Sequence, residues 1–221
     1  MDVIEALKSR HSTRAYKTKC VDRETIMKII EAANYAPSWA NTQPWEVFVA
    51  GGEVLDNIRK GCLEKFRNNV PPNPDRQSPE SWPEAHKERS REMGAAQAKL
   101  LGINREDKEA RAKLNERNLN YFGAPVTLFL CMDKRLTQWS AYDVGAFSQS
   151  VMLAAQSYGL NTIPAVMLSV YPEVIRKELE ITDGLDILIG IALGYGDPDN
   201  IQNKHITTRK PLEEFVTIKG L

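Results

Sequence analysis

The chain has 221 residues, enough to bury one sizeable hydrophobic core. Lys and Arg together number 29, and so do Asp and Glu, so no global field draws the protein to nucleic acid or to an acidic membrane surface. The hydrophobic fraction is 42%, and no run approaches the roughly 20 apolar residues that a membrane helix needs.

The first turns, from Asp2 to Lys8, mix acidic and basic residues and lack the apolar centre of a secretion signal, which points to a cytoplasmic protein. Val3, Ile4 and Leu7 recur at helical spacing, so residues 2 to about 10 read as a short helix with Arg10 at its carboxyl end. The pentad Arg10-His11-Ser12-Thr13-Arg14 then falls on a turn. Its two guanidiniums, imidazole, hydroxyls and main-chain N–H groups have the makings of an anion receptor, although a solvated basic turn has the same composition.

Asp22, with Thr25 three residues on, caps a second amphipathic helix carrying Ile26, Met27, Ile29, Ile30, Ala33 and Tyr35, ending before Pro37. Residues 36–45 are too rich in proline and small polar side chains for helix or central strand. This loop offers Trp39 and Trp45 as flat walls, with Ser38, Asn41 and Gln43 as donors and acceptors. It reads either as a ligand wall or as a rigid connection pinned by tryptophan burial.

Glu46 to Ala50 reads as a short strand and Gly51-Gly52 as its turn, followed by a helix from Glu53 to Arg67 with Val54, Leu55, Ile58 and Leu63 on one side. Five prolines between 68 and 83 mark a surface loop or lid. Two charged helical stretches, 85 to about 101 and 105 to about 121, break at Gly102. Their charge spacing suits a solvated helix pair, and no chemistry is assigned to them.

The apolar run from Ala124 to Met132 belongs at the centre of a sheet, and Leu185 to Gly194 is a second buried strand. Between them, Tyr142 to Tyr158 is apolar on more than one side and reads as the most buried helix, with Gly159 as its stop. Asn161 to Leu168 looks extended, but Pro164 confines it to an edge. Tyr171 to Leu179 is a short helix with Pro172 early. The tail from Thr207 to Ile218 ends in a short alternating strand suited to pairing with another subunit.

Cys20, Cys62 and Cys131 are widely spaced and outside any CxxC pattern, so neither a disulfide framework nor a zinc site is suggested. His86 and His205 stand alone in polar surroundings and read as surface residues, which leaves no metal centre. The glycines make neither GxGxxG nor GxxxxGK[ST], so a Rossmann or P-loop site has no support.

Five segments in order form a recognisable pattern: residues 10–14, residues 36–45, Gly159 to Pro164, Gly194 to Pro198, and Arg209 to Glu214. Through them the chain resembles the flavin-dependent nitroreductase family over nearly its whole length, and the insert at about 85–121 is similar to the branch containing nitrobenzoate reductases. The resemblance implies one α+β domain over residues 1–221, with a central, mostly antiparallel sheet flanked by helices, in an intertwined homodimer with an exchanged C-terminal strand. It also implies FMN at the dimer interface, NADH or NADPH as co-substrate, and a nitroaromatic or quinone-like electron acceptor served in ping-pong order. The same fold acting on an activated alkene or halogenated phenol, or holding flavin without catalysis, remains an alternative.

By motif position, Arg10 and Arg209 would hold the FMN phosphate with His11 and Ser12 beside them, and Arg14 would lie near the pyrimidine edge. Pro37, Ser38, Trp39, Asn41 and Gln43 would come from the partner subunit. The backbone of Pro164, Ala165, Val166 and Met167 would pass the ring where relatives often have Pro followed by Gln, or by an apolar residue and then Glu. No protein side chain is expected to act as a catalytic nucleophile, because the cofactor carries the chemistry.

Overall fold

A computed structural model describes residues 2–104 and 106–221; Arg105, the expected start of the second insert helix, lies outside them. The described residues form seven α-helices and four strands: α1 (Val3–Ser9), α2 (Arg23–Ala33), β1 (Glu46–Gly51), α3 (Gly52–Arg67), α4 (Glu84–Leu100), α5 (Lys108–Leu119), β2 (Val126–Asp133), α6 (Gln138–Ser157), β3 (Asn161–Ala165), α7 (Pro172–Leu179) and β4 (Leu185–Gly194). The architecture is α+β. The sheet order is β1-β2-β4-β3, and every neighbouring pair is antiparallel.

The two uninterrupted apolar runs take the two central places because only there are both faces covered. Side-chain alternation along β2 divides the interior. Phe129 and Cys131 face a core built with α3, α5 and α7, whereas Leu128, Leu130 and Met132 face a second core built with α2 and α6. At about 1.5–3 kcal/mol for each fully buried large apolar side chain, this two-sided burial is the main stabilising term. Pro164 sits where its missing N–H is harmless, on the edge strand β3 opposite Ile191.

Most helix limits follow local chemistry. Asp22 accepts from the Thr25 N–H at 2.8 Å and starts α2, and Gly159, with φ +69°, stops α6. Helix α6 begins at Gln138, four residues before the apolar run that announces it. The pair Gly51-Gly52 makes no hairpin, because the chain passes from β1 straight into α3 and Gly52 takes φ +54° at the junction. On α3 the buried side chains are Leu55, Ile58 and Cys62, with Val54 exposed. No helix among the described residues is long and apolar enough to cross a membrane.

The proline-rich segment is irregular, as its composition requires, but its first half is not a free lid. Val70 accepts from the Tyr171 hydroxyl at 2.8 Å, and Asn73 donates to the Val170 carbonyl at 3.0 Å. The Asp75 carboxylate takes both the Arg176 guanidinium, at 2.5 Å, and the Ile187 N–H, at 2.7 Å. Both side chains of this ion pair are largely buried. The tail also differs from its reading: in the single chain, residues 212–214 form one 3-10 turn, and the alternating residues beyond it form no strand.

Replacing Asp75 by alanine strands a buried guanidinium and an N–H, so the expected loss is about 3–5 kcal/mol in chemical denaturation. Proteolysis should then cut within residues 70–76 faster than it does in the intact protein.

Candidate functional site

After α1 the chain lies along the end of β4. Lys17 donates to the Tyr195 carbonyl at 2.8 Å, Asp197 donates to Ala15 at 3.1 Å, and Tyr16 bridges Gly196. Gly196 permits this approach, because a Cβ there would lie 2.8 Å from the Asn161 side-chain oxygen and 3.2 Å from Thr13. The Asn203 side chain then fixes the turn. Its oxygen accepts from the N–H groups of Arg14 (2.7 Å) and Ala15 (3.2 Å), and its amide donates to the carbonyls of Ala15 and Asp197 (both 2.8 Å).

Thr13 is buried, and its N–H donates to the Thr162 carbonyl on β3. The main-chain donors of Thr13 and Arg14 are therefore consumed internally, contrary to the sequence reading of the pentad. These two donors are therefore not open to an anion. The alternation turns Ser12 and Arg14 toward a cavity of about 320 Å3, which Pro164 and Ala165 also line. Gln97 from α4, Leu114, Asn115, Arg117 and Asn118 from α5, and Phe122, Ile163 and Gln202 complete its wall.

Phe122 reaches that wall through an unusual backbone. Tyr121 and Phe122, both non-glycine, take φ +52° and +55° in succession, at a cost of order 1–3 kcal/mol each. Full burial of Tyr121 offsets this, with its hydroxyl donating to the Leu168 carbonyl at 2.8 Å.

The electrostatics are one-sided. Arg10, Arg14, Arg117 and Arg209 form no ion pair among the described residues. Burial and then the facing Arg209 lower the Arg10 pKa, burial lowers that of Arg14 against a small opposing effect of Tyr16, and burial lowers that of Arg117. These guanidiniums stay protonated at neutral pH, so their discomfort is relieved by a bound anion rather than by proton loss. The buried Nε of Arg10 has no hydrogen-bond partner. Arg209 is exposed and folds back on the Thr207 and Thr208 oxygens at 2.9–3.2 Å.

The remaining expected site residues lie elsewhere in the single chain. Pro37, Ser38 and Trp39 line a separate cleft of about 740 Å3 with Trp139, Tyr142 and Asp143. The loop is held by the Trp39 N–H on the buried Asp143 carboxylate at 3.0 Å and by the Gln43 N–H on the Ser38 hydroxyl at 3.0 Å. Ala40, Asn41 and Gln43 all take positive φ, and Asn41 and Gln43 are exposed. Tryptophan burial is only part of its anchorage: Trp45 stacks on Phe147 at 4.9 Å, while Trp39 is 69% exposed. His11 keeps Nδ1 3.1 Å from the Ser9 carbonyl. Val166 is half exposed and Met167 packs against the core, so neither lines the cavity.

Residues 7–195 match the family described as the Nitroreductase family. The chain belongs to the nitroreductase family. It is 33% identical over 216 residues to the nitrobenzene nitroreductase of Ectopseudomonas oleovorans, covering 96% of this chain and 95% of that protein. It is 32% identical over 212 residues to the 4-nitrobenzoate reductase of Pseudomonas putida, covering 96% and 93%. The FMN and NADPH-dependent nitroreductase NfnB from Sphigopyxis sp. strain HMH superposes with a TM-score of 0.96 at 30% identity over 100% of both chains. The FMN-dependent NfnB from Mycobacterium smegmatis, solved with NADPH, does so at 0.94 and 28%, covering 98% of this chain and 97% of that one.

In this nitroreductase-family chain, sequence reasoning missed Gln97, Asn115, Arg117, Asn118, Gln202 and Asn203. A weak signal existed on α5, where Asn115 and Asn118 repeat at a spacing of three beside an arginine, in a helix with no continuous apolar face. The surface reading holds for His86 and fails for His205, which is 8% exposed with its Nε2 unpartnered; burial, and then Arg14, lower its pKa. Among the described residues no cluster of His, Cys, Asp and Glu could hold a metal.

Replacing Asn203 by alanine removes four hydrogen bonds to part-buried main chain. The expected cost is about 2–3 kcal/mol in a urea melt, most of it from main-chain groups left unpaired.

Proposed function

We propose that the chain is an FMN-dependent NAD(P)H oxidoreductase that reduces nitroaromatic or quinone-like acceptors in ping-pong order. The observation that carries this reading is a set of arginines without counter-ions among the described residues: Arg14, with Ser12, lines a cavity that Pro164 and Ala165 border, and Arg10 lies close enough to Arg209 to feel its charge. Such donors suit a ligand with a phosphate and a planar, carbonyl-bearing ring. When bound, FMN supplies a two-electron carrier between nicotinamide and acceptor.

Arg10 and Arg209 hold its phosphate, with His11 and Ser12 alongside, which gives the orphaned Nε of Arg10 an acceptor. Arg14 addresses the pyrimidine edge and favours negative charge there. The main chain of Pro164 and Ala165 passes the ring, followed by Val166 and Met167. No side chain is required as nucleophile, and none of the three thiols is activated: burial raises Cys62 to about 11 and Cys131 to about 12.

The second wall comes from another copy of the chain. Pro37, Ser38, Trp39, Asn41 and Gln43 lie away from the arginine cavity in one chain, so they serve the site of the partner in a homodimer. The exposed apolar face of α1, Val3, Ile4 and Leu7, and the exposed Leu212, Phe215 and Ile218 of the tail supply surface for an intertwined interface in which the C-terminal segment is exchanged. All 221 residues form one domain with the loop and helical insert as excursions. Ping-pong order requires that nicotinamide and acceptor occupy the same face of the ring in turn.

The purified protein is expected to be a yellow dimer holding one FMN per chain. Initial rates with NADPH and 4-nitrobenzoate varied together should give parallel double-reciprocal lines, and Arg14→Gln should lower kcat/KM by about 10- to 100-fold. A colourless monomer that takes up no added FMN defeats the assignment, and intersecting lines defeat the kinetic order.

A further inference from the structure

The helical insert carries a groove of its own, about 620 Å3, between α4 and the first turns of α5. Small-molecule sites span about 300–1,000 Å3, so a ligand of ordinary size fits. The groove is floored by Gly94, Ala95 and Ala98 on α4, a helix with no buried side chain, and closed by Ile103 and Leu114. A Cβ on Gly94 would meet no atom within 4 Å. Packing within the chain therefore does not call for glycine there, although glycine weakens an exposed helix relative to alanine. What its absence of a side chain does is keep the floor flat.

The rim is charged, and with one sign. Arg91, Lys99 and Arg111 line the groove, and no Asp or Glu does. The acids of α5 are engaged elsewhere: Glu109 takes Lys113 at 2.7 Å and Glu116 takes Arg67 at 2.8 Å. Arg91 is shared with Glu88 of its own helix, whereas Lys99 and Arg111 form no ion pair among the described residues. Arg111 also stands in the first turn of α5, the end of a helix where the dipole disfavours a cation, so the two add to one positive potential. A merely solvated helix pair would mix signs along this rim. Two cations without counter-ions over a flat apolar floor suit a ligand with a planar base and more than one anionic group. Gln97 and Leu114 line both this groove and the arginine cavity, so the two spaces share a wall and one elongated molecule can occupy them together.

We propose that this groove takes the adenosine end of the nicotinamide dinucleotide, with Lys99 and Arg111 on its phosphates, and that it makes NADPH the preferred hydride donor. The inference rests on the FMN reading above, which puts the nicotinamide at the neighbouring cavity. Of the reactants in that reading, the dinucleotide is the one that joins a planar base to several phosphates at a distance from its reacting ring. A nitrobenzoate has a single carboxylate, and it must stay with the ring being reduced. NADPH carries a 2′-phosphate that NADH lacks. An arginine can take two oxygens of such a group at once, and a lysine meets it as a point charge.

The test is a calorimetric titration of holoenzyme with adenosine 2′,5′-bisphosphate, a probe that carries the distinguishing phosphate without the nicotinamide. Wild-type protein is expected to bind it, and the double substitution Lys99→Gln with Arg111→Gln to weaken binding roughly tenfold. Both side chains are exposed, so the fold should survive their replacement. Lys113→Gln, which removes a charge from the outer face of the same helix, should bind the probe as wild type does. In steady-state kinetics the double variant should lose roughly tenfold more kcat/KM with NADPH than with NADH. Unchanged affinity for the bisphosphate, or an equal loss with both nucleotides, overturns the inference and leaves the cofactor reading standing. A loss confined to the nitroaromatic acceptor gives the groove to the acceptor and overturns it as well. Wild-type protein that binds no FMN overturns both readings.

Discussion

The site depends on one side-chain amide. Asn203 grips the backbone of Arg14 and Ala15 from one side and Asp197 from the other, and so ties the segment after α1 to the segment after β4. Without that staple the pentad would be a polar turn on the surface, held by Thr13 alone. With it, alternate residues are committed: Thr13 and Ala15 go inward, and Ser12 and Arg14 face the cavity. The cost of fixing the Arg14 guanidinium is met by main-chain hydrogen bonds rather than by an ion pair of its own. Apart from one bond to the Ser12 carbonyl at 3.2 Å, its side-chain donors are thereby kept for a ligand.

The two-sided sheet serves the same end. Because β2 and β4 fill the centre and bury both faces, the irregular pieces collect at the edge beside β3. There the ladder ends at Ala165, one residue past Pro164, and the 3-10 turn over residues 166–169 crosses β4 closely enough that a Cβ on Gly190 would lie 2.6 Å from that of Leu168. The strained pair Tyr121-Phe122 is fastened to this turn through the Leu168 carbonyl. Rigid packing below and strained backbone above give a preorganised cavity, in which charged groups need little rearrangement to meet a ligand.

Apolar runs bounded by turn residues made every strand of the sheet legible, and the period of 3.6 made most helices so, because burial on both faces of a strand or on one face of a helix leaves a trace in the sequence. The arginines at 10, 14 and 209 were legible as a motif. What was not legible depends on contacts distant in sequence. Asn203 is 188 residues from Ala15, and nothing in its neighbourhood distinguishes it from a tail asparagine. His205 lies in a polar stretch and is buried only because the chain folds back over it. The direction in which Arg117 points required the structure, since the charge pattern of α5 fits a solvated helix equally well. The C-terminal alternation was read as a strand, and a lone chain has no ladder for it to join.

The separation of the loop carrying Trp39 from the arginine cavity has a genetic consequence under the proposed assembly. Two inactive alleles, one defective only at Arg14 and the other only in the 37–43 loop, would complement each other when expressed together. In a mixed pair, one of the two composite sites inherits its arginines and its aromatic wall from the two healthy halves. Lesions confined to either half alone would leave every site broken.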